Sequence, residues 1–261
     1  MLLAIDVGNT NVHIGLYDGE RLAADWRLSS RTDRTADEVG AEVVQLLQLR
    51  GFERKDVTAA VIGSVVPSLN PALLDAMHRY LAVEPVMVAP GTKTGVRILY
   101  QDVNQVGADR VCNALAAFTK YGGPAVIIDF GTAVTYDAIS KDGDYLGGAI
   151  APGVEISLGA LVAQTALLRR VEPVPPDTVI GKNTPAAIQS GLMWGFVAQV
   201  EGMVRRMVDE LGGEAHVIAT GGQAALVAEL TGGVIHKVDP LLTLEGLRLI
   251  HEQNLDHRDR S

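Results

Sequence analysis

At 261 residues, 48% of them hydrophobic, the chain is long enough to bury one large core or two modest ones. A formal net charge of −9 and a pI near 5.1 argue against a nucleic-acid partner, because affinity for a phosphate backbone comes mainly from clustered Lys and Arg. The single cysteine, Cys112, excludes an intramolecular disulfide framework and a multi-cysteine metal site.

The chain enters its first strand at once, with no basic, apolar and cleavable leader ahead of it. The segment AIDVGNTNVHIGLYDG reads as a strand, a tight turn at Gly8 and a second strand, with Asp18-Gly19 as the next hairpin turn. Thr35 then opens an amphipathic helix that carries acidic residues early and ends near Gly51. VTAAVIGSVVP follows as a buried strand, NPALLDAMHRYLAV as a helix and EPVMVAPG as another strand, so the first lobe reads βββαβαβ. GADRVCNALAAF is a helix from Gly107 to Phe118, with Asp109 and Arg110 in its first turn and Cys112 as a small core residue.

Tyr121-Gly122-Gly123-Pro124 breaks the chain, and the opening pattern returns as IIDFGTAVTYDAISKDG, in which Asp129 and Gly131 match Asp6 and Gly8 at one offset. Strands follow at AVTYDAIS and YLGGAIAPG, and helices at SLGALVAQTALL and from Thr184 to Gly213. In the second helix Gly191, Gly195 and Gly202 offer close packing or a bend. AHVIATGG is a strand with the Gly221-Gly222 exit; QAALVAEL and PLLTLEGLRLIHEQ are the last helices, before a frayed polar tail. The domains expected are therefore 1–119 and 120–261, two related α/β lobes of mixed sheet covered by helices, with a ligand in the cleft outside the strand ends. No apolar run approaches the roughly 20 residues of a membrane span, so a soluble cytoplasmic protein without a membrane partner is expected.

A glycine-containing turn exposes backbone N–H groups, and Asn9, Thr10 or Thr132 add side-chain donors, which together can hold phosphate oxygens. Asp6 beside such a turn makes sense if it holds Mg²⁺, which bridges phosphates to few carboxylates and keeps several waters. A plain hairpin closure is the competing reading of one Asp-x-Gly, and two copies in matching register weaken it. The six histidines show no metal-ligand spacing, and none is assigned to catalysis.

The duplicated Asp-x-Gly hairpin and the late Thr-Gly-Gly turn resemble the actin, Hsp70 and sugar-kinase superfamily, whose lobes are ribonuclease H-like (actin-like ATPase) folds. Within it the chain resembles the type III pantothenate kinases. The matching segments are DVGNTN at 6–11, SVVP at 64–67, GTKTG at 91–95, VGADR at 106–110, DFGTAVTYD at 129–137, GGAIAPG at 147–153 and ATGG at 219–222.

The resemblance implies ATP-dependent phosphorylation of pantothenate to 4′-phosphopantothenate, the first step of coenzyme A biosynthesis. It implies that Asp6, Val7, Gly8, Asn9, Thr10, Asn11, Val12 and His13 form the first phosphate loop, with Asp6 serving the Mg²⁺ of ATP. Thr132 would bind ATP phosphates, and Gly221 and Gly222 would approach the adenosine. Tyr100, Gly107, Ala108, Asp109, Arg110 and Thr184 would contact pantothenate, Asp109 accepting the proton of its hydroxyl and Thr184 acting from the partner of a homodimer. Asp129 would coordinate a monovalent cation, K⁺ or NH₄⁺.

Taken as residues alone, Asp109 is also a first-turn acid favoured by the helix dipole, Thr184 an N-cap ahead of Pro185, and Tyr100 a half-buried strand aromatic. The family often carries Asn-Pro shortly before its Val-Gly-Ala-Asp-Arg, whereas this chain reads YQDVNQVGADR, which predicts a less rigid loop from Tyr100 to Gly107. The alternatives are a kinase of another small hydroxylated metabolite, a regulatory protein without catalysis, and a nucleotide switch with no phosphoryl acceptor.

Overall fold

The computed structural model describes residues 1–165 and 167–258 and divides into two compact units, Met1–Thr119 with Leu241–Ser261, and Lys120–Pro240. The first unit is built on five strands, β1 (Leu2–Val7), β2 (Asn11–Asp18), β3 (Arg21–Ser29), β4 (Ala59–Ser64) and β5 (Val86–Val88), in the order β3-β2-β1-β4-β5. Strand alternation sends Leu3, Ile5, Val7, Ile14, Leu16 and Ile62 to one face, where α1 (Ala36–Leu49) and α2 (Asn70–Ala76) cover them. Thr35 starts α1 with a capping box, its hydroxyl accepting from the Glu38 N–H while the Glu38 carboxylate accepts from the Thr35 N–H. Gly40 lets α1 approach the turn at Met77–Leu81, since a Cβ there would lie 2.2 Å from the Tyr80 ring.

The opposite face, with Ala4, Tyr17, Val61 and Val88, packs against α3 (Ala108–Tyr121) and α7 (Leu242–Arg258). This corrects the expected boundary, because α7 belongs to the first unit and not to a lobe running from 120 to 261. The physical reason is apolar burial: Leu244, Leu247 and Ile250 are fully buried in the same cluster as Cys112 and Leu115. Gly246 permits the contact, because a Cβ on it would fall 2.1 Å from the carbonyl oxygen of Cys112.

The second unit repeats the plan with β6 (Ala125–Phe130), β7 (Ala133–Ile139), β8 (Tyr145–Pro152), β9 (His216–Gly221) and β10 (Lys237–Val238), in the order β10-β9-β6-β7-β8. In both units the first three strands pair antiparallel, and the remaining two add in parallel beside the first strand. Even the irregularity repeats: the pairing register shifts between Leu16 and Tyr17 in one copy and between Ala138 and Ile139 in the other, at equivalent positions, with the extra residue on the third strand of each. One face of this sheet packs on α4 (Val154–Ala163), α5 (Thr184–Glu210) and α6 (Ala224–Leu230), with Phe130 and Phe196 edge to face at 5.8 Å. The two ends of the unit are tied together, since Lys120 pairs with Asp239 and the Tyr121 hydroxyl donates to the same carboxylate at 2.9 Å.

Three helix expectations change. α4 starts at Val154 behind Gly153 and stops at Ala163, short of the expected Leu168; position 166 lies outside the described residues. Asn183, not Thr184, caps α5, its side chain accepting from the Ala186 N–H at 2.9 Å. The glycines of α5 do not interrupt it, and Gly191 and Gly195 bring no other part of the chain against it. The helix runs unbroken for 27 residues, and a Cβ on Gly191 or Gly195 would meet nothing within 4 Å.

Candidate functional site

In the first unit β1 delivers Asp6 at its carboxyl end, between His13 of β2 and Gly63 of β4 as cross-strand neighbours. The turn closes with the Gly8 N–H donating to the Asn11 carbonyl at 3.0 Å. Val7, Val12 and His13 are buried beneath it, while Asn9, Thr10 and Asn11 stand exposed at the tip. His13 Nε2 lies 3.0 Å from Asp25 of β3, and burial, partly offset by that carboxylate, holds its pKa below the usual imidazole value.

The first turn of α3 is seated on the neighbouring strand end. A Cβ on Gly107 would stand 3.5 Å from Val65, and one on Gly63 would stand 3.7 Å from Ala108. Gly107 also makes room for Asp109, whose Oδ1 would be 2.5 Å from such a Cβ and which accepts the Arg110 N–H at 2.8 Å. Burial pushes the Asp109 carboxyl above the ordinary aspartate value, against the opposing pull of Arg110. The buried thiol of Cys112 is raised well above its normal value by burial and then by the charges of Asp6 and Asp109. Arg110 is itself buried.

Tyr100 lies on the segment between β5 and α3, in no strand, and is 37% exposed, so only the half-burial of the alternative reading holds. The loop that follows lacks a proline but not a brace. The Asp102 carboxylate accepts from the Asn104 N–H, the Asn104 side chain and the Gln105 side chain at 3.0 to 3.1 Å, which holds the turn at Val103–Gln105.

In the second unit Asp129 ends β6 between Thr135 of β7 and Thr220 of β9. The turn is one residue shorter than in the first copy, with the Gly131 N–H donating to the Ala133 carbonyl at 3.1 Å. Thr132 is exposed at its tip, and its carbonyl accepts from Gly153 at the start of α4. Gly221 has φ +90, and a Cβ on it would lie 2.6 Å from the Phe130 carbonyl oxygen and 2.7 Å from Asp129 Oδ1. The carboxylate thus sits in a cradle that only glycine leaves open, and the Gly222 N–H donates to the Phe130 carbonyl at 3.1 Å. Thr184 lies apart from this turn, on a pocket of about 770 Å³ between α4 and α5 whose walls include Leu161, Lys182, Ile188 and Gly191.

The structure therefore gathers Asp6 and residues 107–110 in one unit and Asp129, Gly221 and Gly222 in the other. It also brings forward side chains that the sequence reading passed over: Asp25 bonded to His13, and Thr135 opposite Asp129, linked onward to Asp137 and Tyr145. Their signal was a polar residue at every second position of an otherwise apolar strand. Among the described residues no three His, Cys, Asp or Glu side chains gather to hold a metal ion, and no helix is long and apolar enough to cross a membrane.

Comparison with known proteins converges on one family. The family model described as type III pantothenate kinase matches residues 2–206. The type III pantothenate kinase of Moorella thermoacetica is 49% identical over 97% of this chain and 100% of its own length. That of an Anaeromyxobacter species is 51% identical over the same shares. A solved archaeal actin homologue aligns over 100% of this chain and 99% of its own with a TM-score of 0.50 at 14% identity, which places the paired sheets in the actin-like fold. With identity of this level running through both units, the chain belongs to the type III pantothenate kinase family.

Proposed function

We propose that this chain transfers the γ-phosphoryl group of MgATP to the primary hydroxyl of pantothenate, giving 4′-phosphopantothenate and ADP as the opening step of coenzyme A synthesis in the cytoplasm. The observation that carries the reading is the seating of the α3 first turn on the strand end beside Asp6, which puts a carboxylate of raised pKa next to a phosphate-type turn. Phosphoryl transfer asks the protein mainly for positioning and charge, with one group to take the acceptor's proton. Asp109 takes that proton, and its burial makes it a stronger base than an exposed aspartate. Tyr100, Gly107, Ala108 and Arg110 position pantothenate around it.

The turn from Asp6 to His13 and Thr132 hold the phosphates, while Gly221 and Gly222 leave room for the adenosine. A single carboxylate at a strand end fits Mg²⁺ brought in on the nucleotide, so Asp6 would hold it, directly or through water; the ion would neutralise charge on the phosphates. The oxygen of Asp129 in its glycine cradle fits a monovalent cation, K⁺ or NH₄⁺, which would add positive charge beside the second turn.

The chain works as a homodimer in this reading. The open face of α5 at Gly191 and Gly195, with Leu167, Val179 and Ile180 65% to 90% exposed nearby in sequence, is the surface of association. Thr184, unburdened by capping, completes the pantothenate pocket of the partner. ADP release from MgATP is the test, with and without pantothenate and in K⁺ or NH₄⁺ against Na⁺, alongside sedimentation. Turnover that depends on pantothenate and on the cation is expected from a dimer. ATP binding without pantothenate-dependent turnover overturns the substrate, and a monomer at working concentration overturns the role of Thr184.

A further inference from the structure

Asp137 is a fully buried carboxylate on β7, two residues beyond Thr135 on the same face of the sheet. A buried carboxylate persists only where donors satisfy it. Tyr145, also fully buried, donates its hydroxyl proton to Asp137 Oδ1 at 2.8 Å, and Thr135 donates its own to Oδ2 at 3.2 Å. In both bonds the carboxylate is the acceptor and the hydroxyl the donor, which gives this chain of bonds one direction. The Thr135 hydroxyl has one proton and spends it on Asp137, which leaves its oxygen with lone pairs for any other neighbour. Its neighbour across the strand pair is Asp129, and side chains directly opposite in an antiparallel pair have their Cβ atoms about 5 Å apart.

We propose that Asp137 is a positioning residue for the cation at Asp129: by holding the proton of Thr135, it turns the threonine oxygen into a second ligand for a monovalent ion. This rests on the reading of Asp129 as the cation-binding carboxylate. A hard monovalent cation takes oxygen lone pairs, and a hydroxyl free to point its proton at the ion would repel it. Asp137→Asn tests the polarity, because its amide NH₂ donates where the carboxylate accepted, and one of the two hydroxyls must then turn its proton elsewhere.

The experiment follows the melting temperature of the full chain in MgADP as KCl replaces choline chloride at constant ionic strength, together with the ATP KM in saturating K⁺. In Asp137→Asn and Thr135→Val the half-saturating K⁺ should rise about tenfold, with Thr135→Ser restoring it to within about twofold and the ATP KM little changed. A merely structural Asp137 would lower the melting temperature and leave the K⁺ midpoint in place, which overturns this inference alone. A wild-type chain whose melting temperature ignores K⁺ overturns the Asp129 reading and this one with it. Should Asp137→Asn fail to fold, the Thr135→Val and Thr135→Ser pair decides: equal midpoints in the two overturn the proposal.

Discussion

The two Asp-x-Gly hairpins share strand order, register and even the place of a bulge, yet they differ in the polar side chains that face the shared aspartate. In the first copy the neighbour of Asp6 is an imidazole, His13, bonded to a carboxylate that β3 supplies from Asp25, opposite Gly15. In the second copy the neighbour of Asp129 is a hydroxyl, Thr135, bonded to a carboxylate that β7 itself supplies from Asp137, opposite Gly148. Gly15 and Asp137 are equivalent in register, as are Asp25 and Gly148, so a carboxylate faces glycine in both copies but from opposite strands. The side chain of Asp25 is 44% exposed, whereas Asp137 is fully buried. Backbone geometry survives duplication because each ladder bond depends on its neighbours, while the side chains on one face are free to diverge and divide the labour.

If the first copy carries the chemistry, the largest effect belongs to its own unit. Asp109→Asn should lower kcat by about a thousandfold with little change in ATP affinity, since on the proposed reading it removes the proton acceptor and leaves both turns in place. The acid limb of the wild-type pH profile should lie above the ordinary aspartate range, because burial raises this carboxyl. The same shift makes a stability claim of opposite sign. A carboxyl whose folded pKa exceeds its unfolded value contributes stability that is complete below the unfolded value and is lost as pH rises through the folded one. Asp109→Asn should therefore melt above wild type at neutral pH, and the gain should close below about pH 4. An inactive variant with no gain at neutral pH would mean that the buried charge is relieved by a partner.

The second effect in size separates equivalent positions at the strand exits. Gly221 in the second copy corresponds to Ser64 in the first, since each pairs with the residue after the shared aspartate. Gly221→Ala forces a side chain into φ +90 against Asp129 and the Phe130 carbonyl, and should cost about 2 kcal/mol and weaken ATP and cation binding together. Ser64→Ala loses only a hydroxyl that accepts from the Val66 N–H at 3.1 Å, about 1 kcal/mol with substrate affinities kept. Equal losses from the two, read by denaturant titration and ATP KM, would break the distinction between the copies.

The duplicated strands and the helices along the chain were legible because period and turn chemistry are local. α7 was misassigned because nothing local says which sheet an apolar helix face will cover; Gly246 over Cys112 joins residues far apart in sequence. β10 went unseen because two residues carry no periodicity. That Asp6 and Asp129 would stand at equivalent strand ends was legible through the repeated motif around them. The roles of Asp25 and Asp137 were not, because alternating polar residues mark one face of a strand but do not say what that face meets until the register is known.

The smallest effect is the sharpest probe of how the two rows differ, because only the first contains an imidazole, the side chain whose unperturbed pKa lies nearest neutrality. His13 has a folded pKa below the ordinary value, with burial as the main cause, so the stability tied to its neutral form is present above about pH 6.5 and lost as pH falls through the folded value. His13→Gln should flatten that acid-side loss, an effect of about 2 °C in melting temperature between pH 7 and 5. Asp25→Asn should act the other way. The Asp25 hydrogen bond raises the imidazole pKa and so opposes the burial; without it protonation becomes harder still, and the acid-side loss deepens. Thr135→Ser, at the equivalent place in the second copy, should leave the pH dependence of melting unchanged. Opposite responses from His13→Gln and Asp25→Asn, with none from Thr135→Ser, would locate the pH sensitivity in the imidazole row of the first hairpin; parallel responses would mean that Asp25 acts on stability by another route.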